Sequence, residues 1–392
     1  MSVSGTWRPI GIVAGWQTAA SLCYYSVFAA TPFIREAFGL SRALVGVLMT
    51  VLTLGYTLNL FPSGAAVDGF GEKPVMVGGL VALGAATAGV VAAPSYPVLL
   101  LAAFALGAAY AGSMPATNRA IVGAVADARR NLAMGIKQVG VTLGSAAASV
   151  VVTGIAAVAA WRAGFLLIAA VALVGTGAFA LAYAGTGGTG RLERPDLGGL
   201  RANRAYLGLV SAGLFLGAAL FTTVGYVVLY LTEAVGTTVG LAGIALAGAQ
   251  VTGSAGRVVA GSLADRLSLP GSAARAPLAV LVGQTALAAA LYAALALSTP
   301  PAPVAVALFL ALGATILGLT GVYYSCLSAL VDADDLGAAT AGGQTALNAG
   351  ALLAPPAFGW IADHLGYRAS WGLLAAAALA SIGLLLGVRR RV

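Results

Sequence analysis

Long apolar stretches, separated by short polar turns, run along the chain from end to end. Each stretch is about 20 residues or longer, and an α-helix of that length crosses the ~30 Å hydrocarbon core of a bilayer. Short proline-rich segments, such as 94–97 and 300–303, interrupt the pattern. The pattern predicts an all-α membrane protein with twelve transmembrane helices, near residues 10–32, 41–66, 74–93, 98–123, 131–158, 163–184, 205–232, 238–262, 277–298, 303–330, 337–361 and 370–388.

Composition excludes a soluble globular protein. Of the 392 residues 60% are hydrophobic and only 8% are charged, and the mean hydropathy is +0.97. The first apolar run is too long for a cleavable signal, so it is expected to be a first span. The single histidine argues against a metal centre, and the two cysteines lie inside predicted spans, where packing is their expected role. No cofactor is expected.

The net charge of +8 is a topology signal and does not indicate a nucleic-acid partner. Lys and Arg residues concentrate at the ends of the predicted spans. Alternate loops hold thirteen of them on one side and four on the other. By the positive-inside rule, both termini are predicted to be cytosolic in a multi-pass protein of the plasma (inner) membrane.

The two halves of the chain repeat each other. Matching residues are 197 positions apart in the early spans and 206 positions apart later, as in Gly39 and Gly236, Asp68 and Asp265, Gly107 and Gly313, and Gly144 and Gly350. Parallel six-helix repeats are a transporter architecture. We therefore predict an N-terminal six-helix bundle at 1–184, a cytosolic linker at 185–204 and a C-terminal six-helix bundle at 205–392, related by pseudo-two-fold symmetry.

The turns after the second and eighth predicted spans carry a motif. The first reads Gly64-x3-Asp68-x2-Gly71-x-Lys73, and the second keeps Gly261-x3-Asp265-Arg266. Over essentially the whole chain this arrangement resembles the major facilitator superfamily. The resemblance implies a transporter that is not an enzyme, in which two halves rock around a central site. It also implies gating roles for Asp68, Lys73, Asp265 and Arg266.

The first copy departs from the family pattern at two positions. Gly69 and Glu72 stand where the family has basic residues. The ionic relay of this turn is therefore expected to be weak in the first half.

Three cations fall inside predicted spans, namely Arg119, Lys137 and Arg257. A charge there costs at least ~2.5–3.5 kcal/mol on insertion, so each is a functional candidate. At a rise of about 1.5 Å per residue, all three lie roughly 10–12 Å inward from the cytosolic end. The acidic residues fall in loops or at rims, which leaves the three cations without counter-ions. An anionic substrate would neutralise them, and arginine can grip a carboxylate through two bonds.

Each cation also has a simpler interpretation. Arg257 could bond helix carbonyls or an Asp of the gating turns. Lys137 could extend its long stem to the cytosolic interface. Arg119 lies nearest a helix end, which favours a structural or inner-gate role over substrate contact.

The resemblance extends to particular branches of the family. Arg257-x3-Gly261 is similar to the monocarboxylate and oxalate/formate porters, in which an arginine at this place binds the substrate carboxylate. The oxalate/formate type adds a lysine in the eleventh span, where this chain has Gly343-Gln344, and Lys137-Gln138 occupies the symmetric place in the fifth. The family fold implies that Lys137 and Arg257 approach from opposite halves. Asn118-Arg119, with Met134 to Gln138, resembles cyanate-porter-like members.

Uncharged polar residues in the cavity-lining spans complete the candidate binding site. Their hydroxyl and amide groups suit a small polar ligand, although tyrosine also serves in packing and at the interface. These candidates are Gln138, Tyr24, Tyr25, Tyr110, Asn118, Tyr323, Tyr324, Gln344 and Asn348.

We conclude from the sequence that the protein is a secondary active transporter of a small organic anion, a mono- or dicarboxylate. It would work by exchange or proton-linked symport, as a monomer in the lipid bilayer, with Glu36, Glu233 and Asp363 as candidate proton sites. The alternative is a proton-linked exporter of drugs or other amphiphilic molecules. A membrane sensor or a lipid-modifying enzyme finds no support, because no signalling domain or catalytic cluster is evident.

Overall fold

The computed structural model describes residues 4–124, 130–185, 200, 202–267, 269, 272–332 and 336–392. All regular structure in these ranges is helical, which confirms the all-α prediction. The helices are α1 (Ser4–Ala29), α2 (Thr31–Phe38), α3 (Arg42–Phe70), α4 (Glu72–Ala92), α5 (Tyr96–Tyr110), α6 (Ser113–Ala124), α7 (Arg130–Ala156), α8 (Trp161–Ala182), α9 (Arg204–Glu233), α10 (Val239–Arg266), α11 (Arg275–Leu297), α12 (Ala302–Leu312), a π-helical turn (Gly313–Leu317), α13 (Thr320–Ser328), α14 (Leu336–His364) and α15 (Tyr367–Arg389).

Ten helical segments of the described chain are long and apolar enough to cross a membrane. Two of them join consecutive helices, α5 with α6 (Tyr96–Ala124) and α12 with α13 (Ala302–Ser328). The remaining long helices, α1 and α14, have 26 and 29 residues, which is enough to span by length alone. The chain is therefore a multi-pass membrane protein, and the count of twelve spans in two bundles stays a prediction.

The chain divides into two compact units. Unit 1 comprises Met1–Phe33 and Val51–Glu193, and unit 2 comprises Ile34–Thr50 and Arg194–Val392. Helix α3 thus begins in unit 2 and continues in unit 1. The segment Ile34–Thr50 falls within the predicted first bundle, 1–184. In the structure its contacts group it with unit 2. Most of the predicted linker 185–204 lies outside the described residues, and those domain bounds stay a prediction.

In unit 1, glycines let the helices approach one another closely. Helix α1 packs along α7 and α4 along α8. A Cβ on Gly140 or Gly144 of α7 would strike the main chain of Ala14 or Thr18 in α1. A Cβ on Gly107 would likewise strike the carbonyl of Leu52. The glycine content of these helices therefore serves close packing, as is common in membranes.

Unit 2 repeats the same close contacts. A Cβ on Gly350 of α14 would strike Leu214 of α9, and one on Gly313 would strike Ala249 of α10. Gly350 and Gly313 lie 206 residues after Gly144 and Gly107, and Ala249 lies 197 residues after Leu52. Within each unit, the repeated glycines thus perform the same task.

One membrane-spanning segment of each unit is interrupted, α5–α6 in unit 1 and α12–α13 in unit 2. In unit 1, α5 ends at Tyr110 and α6 begins at Ser113. Pro115 lacks the N–H that would continue the bonding pattern across the break. In unit 2, the π-helical turn Gly313–Leu317 separates α12 from α13. Interruptions of this kind free main-chain carbonyls and often occur at functional sites.

Candidate functional site

Arg257 lies against the interrupted helix of unit 2. A Cβ on Gly256 of α10 would strike Ala314, so the absence of a side chain there brings α10 onto the π-helical turn. Arg257 Nη2 donates to the carbonyl of Leu317, at the end of that turn, over 3.4 Å. Gly321 makes room for the arginine stem, since a Cβ there would lie 2.7 Å from Arg257 Cγ. The break in the helix and two glycines therefore hold the guanidinium in a half-buried position.

A chain of polar side chains continues from Arg257 across α13 and α14. Tyr324 lies near Arg257, and its Oη donates to Gln344 Oε1. Gln344 Nε2 in turn donates to Asn348 Oδ1 over 2.9 Å. Asn348 is fully buried, and its Nδ2 finds no acceptor among the described residues. The structure thus brings together four residues that the sequence proposed as ligands, which we call the Arg257 cluster.

Tyr323 takes a different position from its neighbour. It is fully buried, and its Oη donates to the carbonyl of Gly343 over 3.3 Å. A Cβ on Gly213 of α9 would strike the same hydroxyl. This placement between helices favours a packing role for Tyr323, and its proposed contact with substrate rests on the sequence alone.

Lys137 of α7 is buried in unit 1, with 2% of its surface exposed. Its Nζ donates to Asn118 Oδ1 over 2.8 Å and lies 3.6 Å from Met114 Sδ. The alternative in which the lysine extends to the interface is therefore wrong. No carboxylate of the described residues lies within 4 Å of the amine. Among the described residues, the ammonium group is held by the neutral acceptors Asn118 and Met114.

Four tyrosines form an aromatic cluster in unit 1. Tyr24 and Tyr110 stack with ring centroids 4.4 Å apart, and Tyr25 and Tyr56 lie 5.2 Å and 6.1 Å from Tyr24. Three of these residues were ligand candidates; Tyr56 was not. The cluster therefore connects helices α1, α3 and α5.

Gln17 was missed by the sequence reasoning. It is fully buried in α1, and its Nε2 donates to Tyr110 Oη over 3.4 Å. Its Oε1 accepts from Thr117 over 3.2 Å. The available signal was an amide in an apolar helix, which needs partners when it is buried.

Arg119 differs from the other two cations because it is ion-paired. Its guanidinium lies 3.2 Å from Asp68 Oδ1 and 3.5 Å from Glu72 Oε2. Glu72 is fully buried and accepts a bond of 3.0 Å from Tyr183 Oη. The expectation that no carboxylate accompanies the cations inside is wrong for Arg119. The left-handed turn at Gly71, with φ of 84°, starts α4 with Glu72 facing inward, so Glu72 adds an ionic partner at this turn.

The remaining candidates make few contacts. Asp265 and Arg266 are exposed at the end of α10 and make no ion pair with the described residues. Lys73 is half-buried beside Gly185, and Gln138 is half-buried without a side-chain hydrogen bond in the described chain. The gating roles of Asp68, Lys73, Asp265 and Arg266 and the binding role of Gln138 stay predictions.

A further ionic cluster lies in unit 2. Glu233 contacts Arg35 at 2.6 Å and Arg42 at 2.8 Å, and it accepts from Tyr367 Oη over 2.9 Å. Asp363 accepts from the main-chain N–H groups of Arg42 and Ala43, each over 3.0 Å, and so caps the start of α3. Two carboxylates that the sequence offered as proton sites therefore connect the segment Ile34–Thr50 with the rest of unit 2. Glu36, the third, is exposed.

A comparison with protein families decides the class of the protein. The model of the major facilitator superfamily matches residues 14–332 and 209–392. The chain belongs to this superfamily. It is therefore a membrane transporter and not an enzyme, as predicted. The particular branch within the superfamily stays a prediction.

Solved structures support the fold. The chain is similar to a bacterial homologue of the human lysosomal transporter Spinster in an inward-facing, unoccupied conformation, with a TM-score of 0.85, 16% identity and coverage of 100% of this chain and 98% of that one. The inward-facing, occupied conformation matches with a TM-score of 0.81, 16% identity and coverage of 100% and 96%. At this identity the likeness concerns the fold alone.

A curated relative matches part of the chain. It is named "Probable sulfoacetate transporter SauU", comes from Cupriavidus necator and is 27% identical over 164 residues. The match covers 42% of this chain and 38% of the relative, about two fifths of each.

Proposed function

We propose that this transporter moves a small organic anion, a mono- or dicarboxylate, by alternating access as a secondary active transporter. The Arg257 cluster is the observation that supports this function. A guanidinium, a phenol and two amides meet there on three helices of unit 2. Guanidinium and amide N–H groups are the donors that carboxylates and other oxyanions accept from.

The buried amide of Asn348 strengthens the case for a polar ligand. Leaving a buried donor unsatisfied costs about 1–3 kcal/mol, so native proteins rarely retain one without a use. An oxyanion bound at the Arg257 cluster would give Asn348 Nδ2 an acceptor. The interrupted helix beside it is the kind of backbone that lines transporter sites.

Lys137 of unit 1 also favours an anionic substrate. A buried ammonium group that lacks a carboxylate is costly in an apolar helix, which favours a functional reason for retaining it. We propose that Lys137 is a second group that attracts anions during transport, with Asn118 holding its amine in place. A monoanion bound by Arg257 would move with a co-transported proton or in exchange.

The sulfoacetate named for the curated relative belongs to the same chemical class. It combines a carboxylate with a sulfonate, and both groups accept two parallel bonds from arginine. We therefore include sulfonated carboxylates among the substrates to be tested. We further propose that the protein acts as a monomer in the inner membrane, with both termini in the cytosol.

Uptake into proteoliposomes tests the function. Wild-type protein should accumulate at least one of labelled lactate, formate, oxalate and sulfoacetate, and a pH gradient or internal anion should drive the uptake. Arg257→Ala should lose about 100-fold in kcat/KM, because it removes a charge-assisted pair in a dehydrated site. Arg257→Lys keeps the charge but loses the fork, and should recover only part of the activity.

Arg162→Ala is the matched control, since Arg162 is exposed and lies over the ring of Trp161. Its transport should equal that of the wild type. Full activity in Arg257→Ala would refute the role of Arg257, whereas the absence of uptake of any organic anion by wild-type protein would refute the substrate class.

The alternative function is proton-linked export of drugs or other amphiphilic molecules. The tyrosine cluster of unit 1 favours it, because stacked aromatic rings bind apolar and cationic compounds. Cells that express the protein would then resist such compounds, and Tyr110→Ala would abolish the resistance while Arg257→Ala would not.

A further inference from the structure

A basic cavity lies in unit 2, away from the Arg257 cluster. Three arginines line it together with two leucines, and its volume is about 470 Å³. Arg275 begins α11, and Arg389 and Arg390 follow one another at the end of α15. Leu269 and Leu386 complete the lining. Helices α11 and α15 pack against each other, so the cavity lies where two neighbouring membrane-spanning helices end.

Two of the three arginines around this cavity, Arg389 and Arg390, have exposed side chains. Arg275 Nε donates to the main-chain oxygen of Val392 over 3.2 Å. The side chains of Arg389 and Arg390 are exposed, and neither makes an ion pair or hydrogen bond with the described residues. No acidic side chain is among the described residues that line it. Like charges that share one cavity repel each other, and a bound anion would turn this repulsion into attraction.

We propose that this cavity binds the phosphate headgroup of an anionic phospholipid. Arginine suits phosphate because its planar fork can donate two parallel bonds to the oxygens. The two leucines offer an apolar surface to the glycerol and the first carbons of the acyl chains. Because both helices end here, the cavity lies at the level of the headgroups, where basic pockets between transmembrane helices bind anionic lipids.

The positive-inside rule alone does not explain the cavity. That rule needs cations near the end of a span, but it does not need them to converge from two helices that are distant in the chain. Arg391 shows the difference. It follows Arg390 directly, yet it does not line the cavity, and its Nη1 donates to the carbonyl of Arg204 over 3.0 Å.

Lipid titration followed by native mass spectrometry tests the proposal. The full chain, purified in neutral detergent, is titrated with phosphatidylglycerol and, separately, with phosphatidylcholine of the same acyl chains. Wild-type protein should retain phosphatidylglycerol preferentially. Arg389→Gln and Arg390→Gln should each weaken this retention about fivefold, and the double variant about 25-fold, by the usual contribution of one arginine near an anionic headgroup.

Arg391→Gln is the matched control, because it removes the same charge one residue further along, and its retention of phosphatidylglycerol should stay within about twofold of wild type. Equal loss in Arg391→Gln and Arg389→Gln would overturn the proposal in favour of general attraction to the basic terminus. Stabilisation by inorganic phosphate as strong as that by the lipid would overturn the lipid assignment in favour of a free anion. The melting temperatures of all variants without lipid should match, which separates lost binding from lost folding.

Discussion

Two regions of unit 1 hold a cation in an apolar helix in opposite ways. Arg119 lies between Asp68 and the fully buried Glu72, so its charge is neutralised within the protein. Lys137 is buried almost completely, and its polar partners within the described ranges are Asn118 and Met114. The two cations thus have different partners within the part of the chain that the structure describes. The protein itself neutralises the paired cation, whereas burial of a cation beside neutral acceptors leaves an unfavourable energy that the proposed anionic substrate would relieve.

The largest effect is expected at the paired cation. Arg119→Met should lower the free energy of unfolding by about 3–5 kcal/mol, because it leaves the buried carboxylate of Glu72 uncompensated. Chemical denaturation in mixed micelles measures this change. The double variant Arg119→Met/Glu72→Gln should regain a large part of the loss, since the neutral amide still accepts from Tyr183. If the double variant were as unstable as the single one, the ion pair would not be the cause.

The opposite sign is expected at Lys137. Lys137→Met keeps the length of the side chain but removes a dehydrated charge, and should raise the free energy of unfolding by about 1–2 kcal/mol. Uptake of the anion should fall at the same time. Lys137→Arg, which keeps a charge, is the control for packing. A destabilised Lys137→Met protein would show that the ammonium group already has sufficient partners and would remove the contrast with Arg119.

The smallest change in stability is expected when Lys137 is given a carboxylate partner, as Arg119 already has. Asn118→Asp places a carboxylate where the amide now accepts from Lys137 at 2.8 Å. The resulting ion pair should stabilise the protein by about 1 kcal/mol and slow transport, because the new carboxylate competes with the substrate.

Asn118→Asp combined with Lys137→Met should be less stable than either single variant, since the carboxylate then lacks a partner. This double-mutant cycle isolates the interaction between the two positions. Additive effects of the two changes would mean that residues 118 and 137 do not interact.

The sequence was sufficient for the helices and for the family. The predicted spans 41–66 and 163–184 correspond to Arg42–Phe70 and Trp161–Ala182. Local apolar length determines such segments, because a polar backbone in lipid must satisfy its own hydrogen bonds. The repeat was also readable, as Gly39 and Gly236 both adopt left-handed conformations, with φ of 63° and 76°.

The tertiary structure alone decided which polar groups meet. Arg257, Tyr324, Gln344 and Asn348 were all candidates from the sequence, but their connection depends on how α10, α13 and α14 pack. The contacts of Gln17 with Tyr110 and Thr117 were not predicted, because these two partners lie about a hundred residues away in the chain.

The same reason explains why the partners of three carboxylates were not predicted. Glu72 was read as a defect in a loop motif, and the turn at Gly71 places it inside as a partner of Arg119. Glu233 and Asp363 lie at helix ends, in agreement with a rim position, but their contacts with Ile34–Thr50 were not predicted. The burial of an apolar residue depends on its own side chain, so the local sequence is enough to predict it. The neutralisation of a charge depends on a partner that only folding brings within reach.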